Sequence, residues 1–309
     1  MTKYFVTFII AAFIISCDKS GFETYHFFGL GTIIDVTIPK QESDKLPLIN
    51  NFIKKISDNI TNDEKSINNA PINQLVSVSD DFIKIYERAL FYYNIDNAYN
   101  PAAYTVQHLY GFPEGPFIVP EKKLLEQSIQ NAGFYNLVLQ NNKFYKKTDL
   151  KVDFSANAKG YIIDKTSEYI KSLNIHNFII NIGGDLYVSG KKDNKFFNIG
   201  IKTPDNDVLN VVKISNKSVA TSGNYERYFI DNGTKYNHIF SGINYVPEEK
   251  YQSVSVIAKT AENADGFATL FYLLDIDKIE KYCKLYDLAV LILTRDNKTV
   301  KLCGWNKYE

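Results

Sequence analysis

VDFSANAKGYIIDK, residues 152–165, and NFIINIGGDLYVSG, residues 177–190, decide the fold class between them. The first reads as a strand ending near Asp153. It turns through the small residues Ser155, Ala156 and Ala158 into a helix over about 157–173. The second reads as a buried strand running into Gly183-Gly184-Asp185. Strand, helix, strand could open a doubly wound nucleotide-binding fold. The downstream segments argue against it. Strands at about 196–202, 208–215, 225–230 and 252–258 come in succession, and the helices do not alternate regularly with strands. No GxGxxG or GxxxxGK[ST] lies between a strand and a helix. The class is α+β, with mixed helices and largely antiparallel sheets.

Towards the N-terminus, YHFFGLGTIIDVTI (25–38) alternates and is rich in β-formers, so it reads as a strand with an irregularity at Gly29/Gly31. Amphipathic helices are predicted over about 42–60 and 80–94, with the polar TNDEKSINNAPINQ between them as a loop. A further helix opens after Pro120, and short strands come next near 134–152. The C-terminal part predicts helices over about 262–274 and 276–284, then a strand over about 287–294.

The first residues, MTKYFVTFIIAAFIISC, combine an early Lys3, an apolar run from Tyr4 to Ile15, and Ser16-Cys17. The run is shorter than the ~20 apolar residues a spanning helix needs, and the pattern is that of a secretory signal. Ile14-Ile15-Ser16-Cys17 is similar to a bacterial lipobox, which makes Cys17 the lipidation site. The expected organisation is a signal peptide at 1–16, a lipidated tether at 17–24 and one domain over 25–309. The protein is then exported and held at the membrane, facing the periplasm, with Asp18 pointing to the inner membrane. The 309 residues carry a formal net charge of zero, 45% hydrophobic and 23% charged side chains, so the balance gives no support to a nucleic-acid partner. Cys283 and Cys303 lack CxxC or histidine spacing and make no zinc site. They either pair or are buried small residues; we expect the second.

Four stretches carry candidate chemistry. Lys159 sits in the first turn of its helix, where unpaired N–H groups and the positive dipole end suit a phosphate; an ordinary strand-to-helix turn gives the same pattern. Gly183-Gly184 permits close approach of backbone to a ligand, or makes a turn. Thr221-Ser222-Gly223 offers hydroxyls between two strands, to a phosphate or to a tight turn. In AENADGFATLFYLL (261–274), Asp265 and Thr269 share one face of an otherwise apolar helix. A carboxylate and a hydroxyl there suit a hard cation such as Mg2+, or serve as capping and back-bonding groups. His238, in YNHIFSG, is one of only four histidines.

The order of these motifs resembles that of the ApbE family, the FAD:protein FMN transferases: LGT, DFSANAKGYIID, NIGGD, FNIGIKTP, VATSG, YNHI and ENADGFAT, over residues 30–269. The resemblance implies an α+β, T-fold-related domain, exported and often lipid-anchored. It implies FAD as substrate, Mg2+ as cofactor, AMP as product, and FMN transfer onto a serine or threonine of a partner flavoprotein domain. Residue by residue, it implies side-chain metal ligands at Asp265 and Thr269 and a backbone ligand at Ala156. Asp265 and His238 become the catalytic residues, His238 as general base for the acceptor hydroxyl. Leu30, Ala98, Tyr99, Asn100, Lys159, Thr221 and Ser222 would contact the flavin nucleotide.

The chain departs from the family pattern in places. Leu30 replaces a methionine, Tyr99-Asn100 replaces Phe-Asp and loses a carboxylate, and Phe240-Ser241-Gly242 is shorter than the usual stretch after the histidine. Residues 57–69 are expected to be a loop near the flavin, with Asp58 or Asn59 in place of the usual aromatic residue. A polar residue there would let water compete with a protein acceptor. The alternatives are therefore an Mg2+-dependent FAD pyrophosphatase, or a flavin-binding lipoprotein without turnover.

Overall fold

The computed structural model describes residues 21–309, and the backbone of Tyr4–Val6. Cys17 and the rest of the expected signal segment lie outside the described residues. The described residues divide into two compact units, one from 58–157 and 223–250 together with Tyr4–Val6, the other from 21–57, 158–222 and 251–309. The boundaries at 57/58 and 157/158 fall inside the helices Leu46–Asn69 and Ser155–Ser172.

The larger unit is built on an eight-stranded sheet. Its spatial order is Thr299–Leu302, Ala289–Thr294, Tyr251–Ala258, Lys217–Gly223, Asp185–Ser189, Phe178–Ile182, Thr32–Pro39, Phe22–Gly29. The stretch expected to be one strand at 25–38 is a hairpin, with Gly29 opposite Thr32. Leu30 (φ 54°) and Gly31 (φ 69°) make its two-residue turn, the left-handed pair that matches strand twist. The stretch 177–190, expected as a strand running into Gly183-Gly184-Asp185, divides in the same way. Ile182 pairs with Asp185 across Gly183 (φ 60°) and Gly184 (φ 102°), so the two glycines are the turn itself. The strand Phe22–Gly29 starts three residues before the expected Tyr25.

A separate hairpin, Phe197–Lys202 with Val208–Ile214, turns Phe197, Ile199, Ile201, Val212 and Ile214 inward. They pack with Val188, Val219, Leu291 and Trp305 in one apolar core. The helices Ala261–Leu273 and Ile276–Leu285 belong to this unit, and the strand Tyr251–Ala258 packs closely against the first. Cys283 and Cys303 form a disulfide with Cα atoms 6.1 Å apart, against the expectation of two separate thiols. The loop between them returns the chain to within bridging distance, which their spacing alone does not reveal.

The smaller unit holds the helices Asp80–Ile95, Tyr104–Gln107 and Lys122–Asn131, and the sheet Val76–Ser77, Lys143–Lys146, Leu137–Gln140. Phe82, Tyr86, Phe134, Phe144 and Phe154 interlock in its interior, all but the tilted Tyr86–Phe134 pair edge to face. Tyr4–Val6 pairs antiparallel with Arg227–Asp231. Residues 61–69 are not the expected loop. They continue the helix Leu46–Asn69, because Ile60 and Ile67, seven apart, keep the apolar stripe running beneath the polar residues. Among the described residues no helix is long and apolar enough to cross a membrane.

Candidate active site

The start of the helix Ser155–Ser172 is racked by side chains from the helix Leu46–Asn69. Asn68 donates to the Val152 carbonyl and accepts from the Val152 N–H, both at 2.8 Å. Glu64 accepts the Phe154 N–H at 2.9 Å. Burial, with the charge of Asp153 added, pushes Glu64 up to about 8. Residues 57–69 therefore serve as a buttress, and Asp58 and Asn59 are exposed positions on its helix. Ala156 lies in the first turn of the helix Ser155–Ser172.

In the larger unit the predicted residues come together as one network. Lys159 Nζ lies 2.5 Å from Asp185 Oδ2, and Asp185 is 2% exposed. The other oxygen of Asp185 accepts the Thr221 N–H at 3.2 Å. This is a consequence of register: the strand Lys217–Gly223 runs antiparallel to Asp185–Ser189 with Val219 opposite Leu186. Thr221 and Ser222 thus overrun the start of the neighbouring strand. The Thr221 hydroxyl is 2.8 Å from that of Ser255, and the Ser222 hydroxyl is 3.0 Å from that of Thr269. Thr221-Ser222-Gly223 is the end of a strand rather than a tight turn.

Asp265 and Thr269 share one face of the helix Ala261–Leu273, as their spacing predicts. Asp265 is 4% exposed and accepts the Gly160 N–H at 2.8 Å. Gly160 lies one turn after Ala156 on its helix, so its ordinary intrahelical acceptor is the Ala156 carbonyl. Asp164, one turn further on, accepts the N–H groups of Ala261 and Glu262 at 2.8 and 3.0 Å. Burial raises Asp164 to about 6, while the two N–H bonds pull the other way. Asp185, Ser255 and Asp164 were not among the predicted ligand-contacting residues. Only Asp185 carried a signal, its place directly after Gly183-Gly184. Leu30 lies in the hairpin turn of this unit, half-buried.

The remaining predicted residues lie in the smaller unit. The His238 Nδ1 is 3.2 Å from the Arg227 carbonyl oxygen. A carbonyl only accepts, so Nδ1 carries the proton of the neutral ring, and Nε2 carries the basic lone pair. Gln107 donates to the His238 carbonyl at 2.8 Å. The residues after His238 form a closed loop, with the Ser241 N–H on Val246, the Tyr245 N–H on Ser241 and the Gly242 N–H on Ala98. Tyr99 is buried, its hydroxyl 2.9 Å from Asn157 Oδ1. Asn100 caps the turn Pro101–Ala103 by accepting the Ala102 N–H, and donates to the Ala132 carbonyl at 3.0 Å. The side chain that replaces the family's carboxylate thus serves as a hydrogen-bonded brace.

Among the described residues no group of three or more His, Cys, Asp or Glu gathers as a cation site. Asp265 and Thr269 offer one carboxylate and one hydroxyl on a shared helix face. Both are hard oxygen donors, which fits Mg2+ shared with substrate phosphates.

The model of the ApbE family matches residues 30–292. The FAD:protein FMN transferase of Haemophilus influenzae is 30% identical over 248 residues, 74% of this chain and 70% of that protein. The Vibrio cholerae protein of the same name is 25% identical over 322 residues, 97% and 96% of the two chains. The solved structure of the ApbE protein of Thermotoga maritima superposes with a TM-score of 0.86 at 26% identity, over 93% of this chain and 99% of that one. The flavin transferase ApbE of Vibrio cholerae superposes with a TM-score of 0.82, over 94% of this chain and all of the other. At 21% identity that likeness speaks to the fold alone.

Proposed function

The chain belongs to the ApbE family, and from that premise we propose that it is an FAD:protein FMN transferase acting through the residues just described. The observation that carries the proposal is the linked set in the larger unit. Lys159 is held by Asp185, Asp185 by the Thr221 N–H, Ser222 by Thr269, and Asp265 by Gly160. Hydroxyls, backbone donors and one cation held by a carboxylate are groups that hold phosphate oxygens.

In the proposed reaction a serine or threonine hydroxyl of the acceptor attacks the FMN-side phosphorus of FAD. The new O–P bond forms as the P–O–P bond breaks, AMP leaves, and the acceptor proton passes to a base. We assign His238 as that base, supported by the tautomer that the Arg227 carbonyl imposes. Lys159, Thr221 and Ser222 bind and orient the phosphates, while Leu30 and the Ala98–Asn100 segment contact the flavin nucleotide. Asp265, Thr269 and the Ala156 carbonyl would hold Mg2+. When bound, that ion supplies charge compensation to the pyrophosphate. The proposal places the enzyme outside the cytoplasm, anchored through a lipid on Cys17 at the inner membrane. The Cys283–Cys303 bridge is in keeping with an oxidising compartment. Replacing Cys17 by serine should release the protein from the membrane fraction.

The deciding experiment is mass spectrometry and nucleotide analysis after incubation with FAD and Mg2+, with and without an acceptor domain. Transfer adds the FMN mass to the acceptor and depends on it. FMN and AMP appearing without acceptor would make water the nucleophile. Intact FAD in both samples would sink the proposal. Asp265→Ala should abolish Mg2+-dependent turnover, and full activity in that variant would remove the metal assignment.

A further inference from the structure

The helices Ser155–Ser172 and Ala261–Leu273 exchange a carboxylate for backbone donors in both directions. Asp164 of the first accepts the Ala261 and Glu262 N–H groups, one on each oxygen. Asp265 of the second accepts the Gly160 N–H of the first. Gly160 and Asp164 are four residues apart and share a face. The backbones also meet closely at this joint. A Cβ on residue 160 would lie 2.4 Å from the Ala261 carbonyl oxygen and 2.6 Å from the Glu262 Cα. The N–H groups of Ala261 and Glu262 are orphan donors of a helix start. The side chain of the helix's own cap, Thr260, accepts from Asn263, and Asp164 supplies the acceptors for Ala261 and Glu262.

Ala261 precedes Asp265 by about one turn, so whatever fixes the first turn fixes the carboxylate above it. We infer that Asp164 is a positioning residue, which sets the placement of Asp265 and Thr269 by clamping the first turn of their helix. It acts through Ala261 and Glu262 and is assigned no contact with substrate. The inference rests on the metal assignment proposed above. A merely structural cap predicts something different: lower stability with cation affinity unchanged.

The test is calorimetric titration of the full chain with Mg2+ alone, beside FAD affinity measured by flavin fluorescence in excess chelator. Supporting residues behind metal ligands typically change metal affinity by about 10–100-fold, and Asp164→Ala should fall in that range. Asp164→Asn keeps one acceptor oxygen and should lie between it and the wild type; should the alanine variant not fold, the asparagine variant carries the test. Gly160→Ala pushes the same joint apart sterically and should weaken Mg2+ in the same way. FAD affinity in chelator should stay unchanged in both Asp164 variants. Wild-type Mg2+ affinity in the Asp164 variants, while Asp265→Ala loses it, would overturn the inference and leave the metal assignment standing. A parallel loss of FAD affinity in chelator would also overturn it, by showing general damage. Wild-type Mg2+ affinity in Asp265→Ala would overturn the metal assignment itself, and the inference with it.

Discussion

Lys159 and Asp185 depend on each other unequally. The aspartate is fully enclosed, while about a quarter of the lysine side chain meets solvent (28% exposed). Lys159→Met therefore strands a carboxylate in the interior. It should cost about 2 kcal/mol, less than a wholly buried pair because the lysine is partly solvated. Adding Asp185→Asn should restore much of that stability, read by urea denaturation, without restoring FAD turnover. A double variant as unstable as the single one would refute the pairing argument. Glu64 gives a second prediction, through pH. Its folded value of about 8 lies above the ordinary 4.5, so the folded state binds its proton more tightly than the unfolded chain. Stability from this group is complete below about 4.5 and declines as pH rises towards 8, with a limiting slope of about 1.4 kcal/mol per pH unit. Glu64→Gln should flatten that slope; an unchanged slope would place the titration elsewhere. Lys159, Asp265 and Thr269 stand out in the sequence as candidates because each is a polar group set among small or apolar neighbours. Asp164 was not legible. An aspartate on a helix looks like surface until the helix packed against it is known.

The elements were legible wherever the apolar period was unbroken, as in the helices Asp80–Ile95 and Ala261–Leu273. They were misread where polar residues interrupt it. Thr61, Asn62 and Asp63 are weak helix formers, and the chain continues through them because Ile67 returns to the buried stripe. Two turns are hard to see for a related reason, although a turn is among the readings of Gly183-Gly184. Leu30-Gly31 and Gly183-Gly184 each occupy only two residues, so alternation runs across them almost undisturbed. The continued helix has a consequence that can be measured. Asn68, near its end, pairs with both backbone groups of the buried Val152 and so seats the segment leading into Ser155 and Ala156. Asn68→Ala leaves a buried N–H and a buried C=O without that partner, at a cost of about 2 kcal/mol. Turnover should fall as well, because the first turn of the next helix loses its seat. Wild-type turnover and stability in this variant would show that the pairing is dispensable.

Over the full chain, the order of short motifs carried the family, while the pairing of distant segments stayed hidden. Nothing in residues 32–39 announces that they lie beside 178–182. That adjacency is settled by which faces can be buried together, a property of the assembled sheet. The cysteines pose the same problem at the edge of the larger unit. The strand Thr299–Leu302 has a single neighbour, Ala289–Thr294, and Cys303 comes directly after it. Its bridge to Cys283, 20 residues earlier, ties this edge to the helix Ile276–Leu285. A loop of that size limits the unfolded chain enough to contribute about 3 kcal/mol. Reduction should therefore lower the urea-unfolding free energy by that order, and the double replacement Cys283→Ser with Cys303→Ser should do the same without reductant. The residues proposed for metal and phosphate lie on other elements, so Mg2+ affinity should survive both treatments. Equal unfolding midpoints with and without reductant would show that apolar packing around Trp305 holds this edge unaided. A loss of Mg2+ affinity on reduction would show instead that the edge and the helix Ala261–Leu273 are one cooperative unit.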